Sequence, residues 1–177
     1  QTLAAGEILV VDDQSTDRTP ELLAGWERDG RIRVLHCARG GPAGARNVGL
    51  REAQGTWVAF LYADDELAPQ ALEESRAAGE RNPGASWLIC DVVRVRPGLE
   101  ERKASAPPQG DGAAWIAAIL DRNFVARGFF FRRETLLEFG GFHAEVNYFE
   151  DWDLFIRLIR AGNLPAYVPL PLYRYIE

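Results

Sequence analysis

The chain has 177 residues, 47% of them hydrophobic, a size and composition that fit one globular domain with a single sizeable core. Its 20 basic and 26 acidic side chains give a formal net charge of −6, the wrong sign for a protein held by phosphate backbones, so we expect no nucleic-acid partner. We find no signal-peptide features and no apolar run of the roughly 20 residues that a transmembrane helix needs, and therefore expect a cytoplasmic protein, with peripheral contact at the inner face of a membrane as the alternative.

Strands and helices alternate along the first half of the chain. An apolar run at residues 7–11 predicts a buried strand, and Asp17 or Thr19 can cap the helix that follows. The pattern returns with strands at 32–35 and 57–61 and helices at 43–53 and 69–81. This alternation predicts an α/β fold with a doubly wound, mainly parallel sheet and helices on both faces.

The second half of the chain shows the same mixture without a break in composition. In order, the sequence predicts a strand at 86–95, a mobile loop at 97–112, a helix at 113–120, a strand at 128–131, an amphipathic helix at 150–160 and two short proline-punctuated strands. We therefore expect one domain over residues 1–177.

Two pairs of acids follow predicted strands: Asp12 with Asp13, and Asp64 with Asp65. Ligands of open α/β sheets bind outside the carboxyl ends of the strands. Carboxylates there can accept hydrogen bonds from a nucleotide or hold Mg²⁺ or Mn²⁺, whose preference for oxygen also suits a diphosphate. Capping of the next helix explains either pair alone equally well, but two pairs on neighbouring strand ends favour a binding site.

A third acidic group, Glu150, Asp151 and Asp153, begins the predicted helix at 150–160. Acids in a first turn oppose the helix dipole favourably, which is the structural explanation. Three acids exceed what capping requires, and a partly desolvated carboxylate can take a proton from a sugar hydroxyl. Asp151 is therefore a candidate general base.

A glycine-rich turn precedes the helix predicted at 43–53. Gly40, Gly41 and Gly44 let the backbone approach a ligand, and Arg46 can pair with phosphate or a base edge. Such turns are common before helices, so this signal is weak alone.

Four large aromatic side chains, Trp115, Tyr148, Phe149 and Trp152, could stack on a bound ligand. Large aromatics are more often part of the core, and we expect that role for them.

Taken together, these groups resemble the family-2 glycosyltransferases of the GT-A fold, and the resemblance runs through nearly the whole chain. The motifs that carry it occur in the family's order: VVDDQSTDRT, GPAGARNVGL, AFLYADDELAP, GGF and EDWDLFIRL. The resemblance implies a metal-dependent, inverting transfer of a sugar from a nucleotide-diphosphate donor to the hydroxyl of a sugar or glycan acceptor, with Mn²⁺ or Mg²⁺ as cofactor. It also implies site residues: Asp13, Arg46 and Asp64 at the nucleotide, Asp65 at the metal, and Asp151 as catalytic base.

The sequence departs from the family pattern at its beginning and in its acidic signature. The family usually opens with a strand resembling VSVIIPTYN, whereas this chain begins at Gln1, where the following helix would be ending, so we expect the first strand to be missing. The acidic signature commonly reads DADD, but Tyr62 stands at its first position. That replacement predicts weaker metal binding or fewer protein ligands.

Two alternative functions belong to other classes. ILVVDD at a strand end also resembles a response-regulator receiver, but the only lysine, Lys103, lies in the predicted loop and not after a fifth strand. A catalytically inactive, transferase-like nucleotide-binding domain keeps the fold without turnover. Only measurements of binding and turnover separate that alternative from an active transferase.

Overall fold

A computed structural model describes residues 1–38, 40–122, 125, 130–146 and 148–177. The described residues contain eight strands and six helices, which follow one another in this order: β1 Leu9–Asp12, α1 Thr19–Arg28, β2 Arg33–His36, α2 Gly41–Glu52, β3 Trp57–Ala59, β4 Glu66–Leu67, α3 Ala71–Arg81, β5 Trp87–Arg96, β6 Leu99–Lys103, α4 Gly112–Asp121, β7 Phe130–Arg132, α5 Arg133–Glu138, α6 Glu150–Arg160 and β8 Ala166–Ile176.

The chain divides into two compact units. The sheet unit comprises Gln1–Ala4, Ala59–Arg132 and Phe155–Glu177, and the N-terminal unit comprises Ala5–Val58 and Arg133–Leu154. A single domain over residues 1–177 stays a prediction.

The N-terminal unit is built on a strand, helix and strand in which β1 and β2 pair in parallel from Leu9 opposite Arg33 to Asp12 opposite His36. Leu23 of α1 and Leu50 of α2 are buried at 5% and 2% exposure, so both helices contribute apolar side chains to the core. The predicted strands at 7–11 and 32–35 are thus confirmed, each displaced toward its C-terminal end. Among the described residues, no strand precedes β1.

The sheet unit is centred on β5, which is buried from Trp87 to Val92. It pairs in parallel with β8 and antiparallel with β6 and β7, while β4 pairs antiparallel with β8. The parallel pairing that the sequence predicts is present, and antiparallel strands are added to it. The α/β class is confirmed.

Three stacked aromatic rings form the centre of the sheet unit. The ring centroid of Trp87 lies 5.9 Å from that of Phe131 and 5.1 Å from that of Phe155, the two phenylalanine centroids are 6.3 Å apart, and all three planes are nearly parallel. The indole Nε1 of Trp87 donates to the carbonyl of Asn163 at 2.8 Å, so its polar atom is satisfied inside the core. This stack fixes the C-terminal half of α6 against β5.

Two predicted elements need correction. The loop predicted at 97–112 is wrong over β6, because Leu99–Lys103 pairs with β5 in a hairpin that turns at Gly98, where φ is +77°. The two short strands predicted at the end are one strand, β8, whose register with β5 shifts around Asp91. Part of the strand predicted at 128–131 lies outside the described residues; the remainder falls in β7.

Candidate functional site

Asp13 lies directly after β1 and binds the turn that opens α2. Its two carboxylate oxygens accept the backbone N–H groups of Gly40 and Gly41 at 2.9 and 2.8 Å. These N–H groups belong to the start of a helix and would otherwise need a partner. A Cβ on Gly40 would lie 2.7 Å from the sulfur of Cys37, so glycine is required for this close approach. Asp13 therefore fixes the glycine-rich turn.

The neighbouring Asp12 is buried and closes the loop after β1. Its Oδ1 accepts the N–H of Ser15 at 3.0 Å. Hydrogen bonds from the side chain and backbone of Ser15 lower the pKa of Asp12 below its ordinary value. Asp12 is thus an ionised carboxylate that stabilises the loop after β1, and its neighbour Asp13 is half-buried.

Arg46, on α2, forms an ion pair with Glu150 at the start of α6. Its Nη2 lies 2.6 Å from Glu150 Oε1, and the two side chains are only 11% and 8% exposed. The guanidinium also lies over the ring of Phe142, 4.7 Å from the centroid. These contacts connect α2 to the residue that precedes Asp151.

Asn47, the next residue of α2, holds the same region through the backbone of Phe142. Its amide nitrogen donates to the carbonyl of Phe142 at 2.7 Å, and its amide oxygen accepts the N–H of Phe142 at 2.9 Å. Gly141 has a φ of +70°, and a Cβ there would overlap Asn47 Oδ1. The GGF sequence is therefore shaped by contact with α2.

The three acids at the start of α6 have different surroundings. Glu150 pairs with Arg46, Asp153 lies 3.1 Å from Nδ1 of His143, and Asp151 Oδ1 accepts the N–H of Trp152 at 2.7 Å. Asp151 is half-buried. Capping of the helix alone does not explain Glu150, because its partner Arg46 lies on α2.

The sequence predicts that the four aromatic side chains lie in the core, but not all of them do. Trp115 is buried at 5% exposure, as predicted, but Tyr148 and Phe149 are 91% and 57% exposed. The expectation is therefore wrong for those two residues. Trp152 contacts the ring of Phe149 edge-on at 5.7 Å, and its buried Nε1 has no hydrogen-bond partner among the described residues.

Asp64 and Asp65 form an acidic turn in the sheet unit. The N–H of Asp65 donates to the carbonyl of Tyr62 at 3.1 Å, which closes the turn. Asp64 is exposed, whereas Asp65 is only 7% exposed. Asp65 Oδ2 accepts the hydroxyl of Tyr173 at 2.5 Å, and its Oδ1 accepts the N–H of Ile176 at 3.0 Å. Both oxygens are thus held by β8.

A second buried carboxylate, Asp91, lies elsewhere in the sheet unit. It accepts hydrogen bonds from the hydroxyl of Tyr167 at 2.6 Å, from Ser105 N–H at 3.0 Å and from Arg102. Burial alone would raise the pKa of Asp91, but these hydrogen bonds outweigh it and hold the pKa below its ordinary value. Burial, with the bond to Asp91, raises the pKa of Tyr167 to about 12. This cluster joins β5, β6 and β8.

The acidic turn fits the way proteins hold Mg²⁺ or Mn²⁺ with a diphosphate. Such ions are usually bound through one or two carboxylates, with substrate phosphates completing the coordination. The described residues contain no group of three or more His, Cys, Asp or Glu side chains arranged to hold a metal alone. Carboxylates that bind metals are themselves hydrogen-bonded by outer groups, as Asp65 is by Tyr173 and Ile176.

The structure brings some of the predicted site residues together. Asp13 binds the turn that opens α2, and Arg46 lies on α2 itself. Arg46 also pairs with Glu150, the residue that precedes Asp151. Asp64 and Asp65 lie together in the sheet unit. The predicted roles of all five residues stay predictions.

Sequence reasoning singled out Glu150 but did not predict its pairing with Arg46, and it did not predict the contacts of Asn47 and Tyr173. Glu150 and Asn47 stand inside quoted motifs, so their motif membership was an available signal. No sequence signal points to Tyr173, an aromatic residue in a proline-containing strand.

Comparison with known proteins identifies the family. The family model of Glycosyl transferase family 2 matches residues 1–140. The chain belongs to this family. Family-2 membership confirms the resemblance seen in the motifs and is incompatible with the receiver-type alternative.

One relative of this family-2 chain is the O-antigen biosynthesis protein RfbC of Myxococcus xanthus, 33% identical over 100% of the chain and 14% of RfbC. Two solved structures share its fold. S. aureus TarS in complex with UDP matches with a TM-score of 0.75 at 21% identity, covering 97% of this chain and 51% of TarS. GalNAc-T7 with UDP, GalNAc and Mn²⁺ matches with a TM-score of 0.71 at 20% identity, covering 97% and 38%. The GT-A fold is thus confirmed. The chain spans about half the length of TarS and smaller shares of GalNAc-T7 and RfbC.

None of the described helices of the family-2 chain is both long and apolar enough to cross a membrane. A cytoplasmic location stays a prediction.

Proposed function

We propose that the chain is the donor-binding and catalytic part of a glycosyltransferase that moves a sugar from a nucleoside diphosphate to an acceptor hydroxyl. Family membership supports sugar transfer, and the UDP and Mn²⁺ complexes of TarS and GalNAc-T7 support a nucleotide donor and a cation. The observation that carries the proposal in this chain is the acidic turn, where exposed Asp64 adjoins the buried and oriented Asp65.

The N-terminal unit supplies the proposed nucleotide contacts and the base. Asp13 would accept a hydrogen bond from the nucleobase at the turn that it holds before α2. The resemblance implies that Arg46 contacts the nucleotide, whereas its buried pairing with Glu150 favours a role in supporting the start of α6. Asp151, half-buried on the first turn of α6, would act as base.

The sheet unit supplies the proposed diphosphate contacts through Asp64 and Asp65. When bound, Mn²⁺ or Mg²⁺ would supply positive charge that stabilises the departing diphosphate. Asp65 would face it from a fixed orientation because both its oxygens accept hydrogen bonds from β8. Asp64 would contribute the exposed carboxylate.

The proposed reaction is a direct displacement at the anomeric carbon. Asp151 takes the proton of the acceptor hydroxyl while that oxygen bonds to the anomeric carbon. The bond between this carbon and the diphosphate oxygen breaks, and the diphosphate leaves with the electron pair. Attack opposite the leaving group inverts the configuration.

The acceptor is proposed to be a sugar or glycan that contacts exposed aromatic rings. Phe149 is 57% exposed and lies two residues before Asp151 in the chain. Aromatic faces provide apolar area at low entropy cost, and ring stacking suits the C–H face of a sugar. RfbC, named for O-antigen biosynthesis, supports a polysaccharide context.

Calorimetric titration with UDP, GDP and TDP, each with Mn²⁺ and again with chelator, tests the proposal. We expect one diphosphate to bind, and only with the cation. An absence of binding to all three would count against the donor site, whereas binding without any turnover would favour the inactive alternative.

Two variants separate binding from chemistry. Asp64→Asn changes an exposed carboxylate and should weaken cation-dependent binding, whereas Asp151→Asn should leave binding unchanged and lower transfer by about 10²-fold or more. Equal transfer in Asp151→Asn would remove Asp151 as the base.

A further inference from the structure

Tyr173 is a buried residue of β8 whose hydroxyl donates a hydrogen bond to Asp65. The ring is 1% exposed, and the hydroxyl lies 2.5 Å from Asp65 Oδ2. The N–H of Ile176 donates to the other oxygen, Oδ1, at 3.0 Å. Because each oxygen has its own donor, rotation of the carboxylate would break at least one hydrogen bond.

The backbone after Asp65 is also fixed to the same strand. Glu66 and Leu67 form β4, which pairs with Arg174 and Tyr173 of β8. Arg174 reinforces this pairing through Nε, 3.1 Å from Glu66 Oε2. Side-chain and backbone contacts therefore place the acidic turn on β8.

We propose that Tyr173 is a positioning residue that orients Asp65 toward the divalent cation. The inference rests on the proposed function, since it takes Asp65 as a cation ligand. The family model ends at residue 140, so the orienting donor comes from a strand beyond the matched region. Outer hydrogen bonds of this kind hold ligating carboxylates in the orientation that the metal needs.

The donors from β8 can orient Asp65 without cancelling its charge, because a phenol hydroxyl and a backbone amide are both neutral. Asp91 shows the contrast in the same unit. It accepts a hydrogen bond from the hydroxyl of Tyr167 but also lies 2.5 Å from the guanidinium of Arg102. A similar tyrosine–carboxylate bond is thus present at Asp91, a carboxylate that the proposed function does not assign to the cation.

This contrast provides a matched control. Tyr173→Phe and Tyr167→Phe each remove one hydroxyl from a β8 tyrosine that donates to a buried aspartate. We would measure Mn²⁺ affinity in the full chain at saturating UDP, GDP or TDP, whichever the unaltered protein binds, by electron paramagnetic resonance of free Mn²⁺. Tyr173→Phe should weaken Mn²⁺ binding about 10- to 100-fold, and Tyr167→Phe should leave it unchanged.

Several outcomes separate the inference from the proposed function. Unaltered Mn²⁺ affinity in Tyr173→Phe would overturn the positioning role and leave the proposed function in place. An equal loss of affinity in both variants would assign the effect to β8 in general and would also overturn the positioning role. If the unaltered protein shows no Mn²⁺-dependent nucleotide binding, the proposed function fails first. Should Tyr173→Phe not fold, 4-fluorophenylalanine at position 173, which keeps the ring and fills the space of the hydroxyl without an O–H donor, should lower Mn²⁺ affinity relative to the same replacement at 167; equal affinities would refute the inference.

Discussion

At the scale of single residues, the ion pair of Arg46 and Glu150 lies almost out of water, with side chains 11% and 8% exposed. Removing Glu150 takes a buried carboxylate partner away from the guanidinium of Arg46, and breaking a buried pair from one side is strongly destabilising. We expect Glu150→Ala to lower the free energy of unfolding by about 3 to 5 kcal/mol. Urea denaturation followed by circular dichroism measures this loss.

The pair of Arg76 and Glu80 on α3 provides the control. Its side chains are 62% and 69% exposed, and exposed pairs contribute about 0 to 1 kcal/mol because water screens them. Glu80→Ala makes the same chemical change and should alter stability by less than about 0.5 kcal/mol. Equal losses in the two variants would show that burial does not govern the Arg46–Glu150 pair.

A second residue-scale prediction concerns alkaline pH and Tyr167. Burial and the bond to Asp91 raise its pKa from 10 to about 12, and burial also raises the pKa of Cys90 to about 12. A folded pKa above the unfolded value gives stability that is complete below the unfolded pKa and is lost as pH rises through the folded one. For Tyr167 the loss occurs between pH 10 and 12.

The difference in tyrosinate absorbance between the unaltered protein and Tyr167→Phe should therefore show a midpoint near pH 12. Stability of the variant in urea should also fall less steeply between pH 10 and 12, because Cys90 alone of this pair still titrates. A midpoint at pH 10 would mean that Tyr167 is not held by Asp91 in solution.

At the scale of elements, α2 shapes the GGF segment through Asn47. Gly140 and Gly141 both have φ near +70°, and alanine in this conformation costs about 1 to 2 kcal/mol. A Cβ on Gly140 meets nothing within 4 Å, whereas one on Gly141 would overlap Asn47 Oδ1. The adjacent glycines thus share backbone strain and differ in their contact with α2.

We therefore expect Gly140→Ala to show only the backbone cost in urea denaturation. Gly141→Ala should lose about 1 to 3 kcal/mol more, because Asn47 must give up its two hydrogen bonds to Phe142. Equal losses in the two variants would mean that the Asn47 contact contributes nothing beyond the strain.

The sequence predicts well those elements whose own residues show a clear apolar periodicity. Helix α6, Glu150–Arg160, matches its predicted bounds, since Leu154, Phe155 and Leu158 recur at helical spacing and are all buried. Strand β6 was missed because its residues LEERK are charged and almost wholly exposed. Its structure comes from pairing with β5, which no local pattern reveals.

The same reasoning explains β8 and the site. Pro169 and Pro171 suggested two strands, but they fall where the register with β5 shifts, so the strand continues past them. Arg46 and Glu150 are separated by 104 positions in the chain, and Asp65 and Tyr173 by 108. The sequence could mark charged residues as candidates for a site, but not which distant side chains would hold them.

At the scale of the whole molecule, a bound donor should raise thermal stability because it binds only the folded chain. A ligand at about 100 times its dissociation constant adds about 2.7 kcal/mol, and for a protein of 150 to 250 residues each kcal/mol raises Tm by about 2 to 4 °C. We therefore expect a rise of about 5 to 11 °C for the matching nucleoside diphosphate with Mn²⁺.

Differential scanning fluorimetry with each diphosphate, with Mn²⁺ and with chelator, measures this rise. The proposed cation bridge requires the rise to disappear with chelator and to shrink in Asp64→Asn, whose exposed side chain leaves the fold undisturbed. A rise of the same size in chelator would show that the nucleotide binds without the cation. In that case the acidic turn would not hold the diphosphate through a cation, and the hydrogen bond of Tyr173 would serve the attachment of β8 and not a metal ligand.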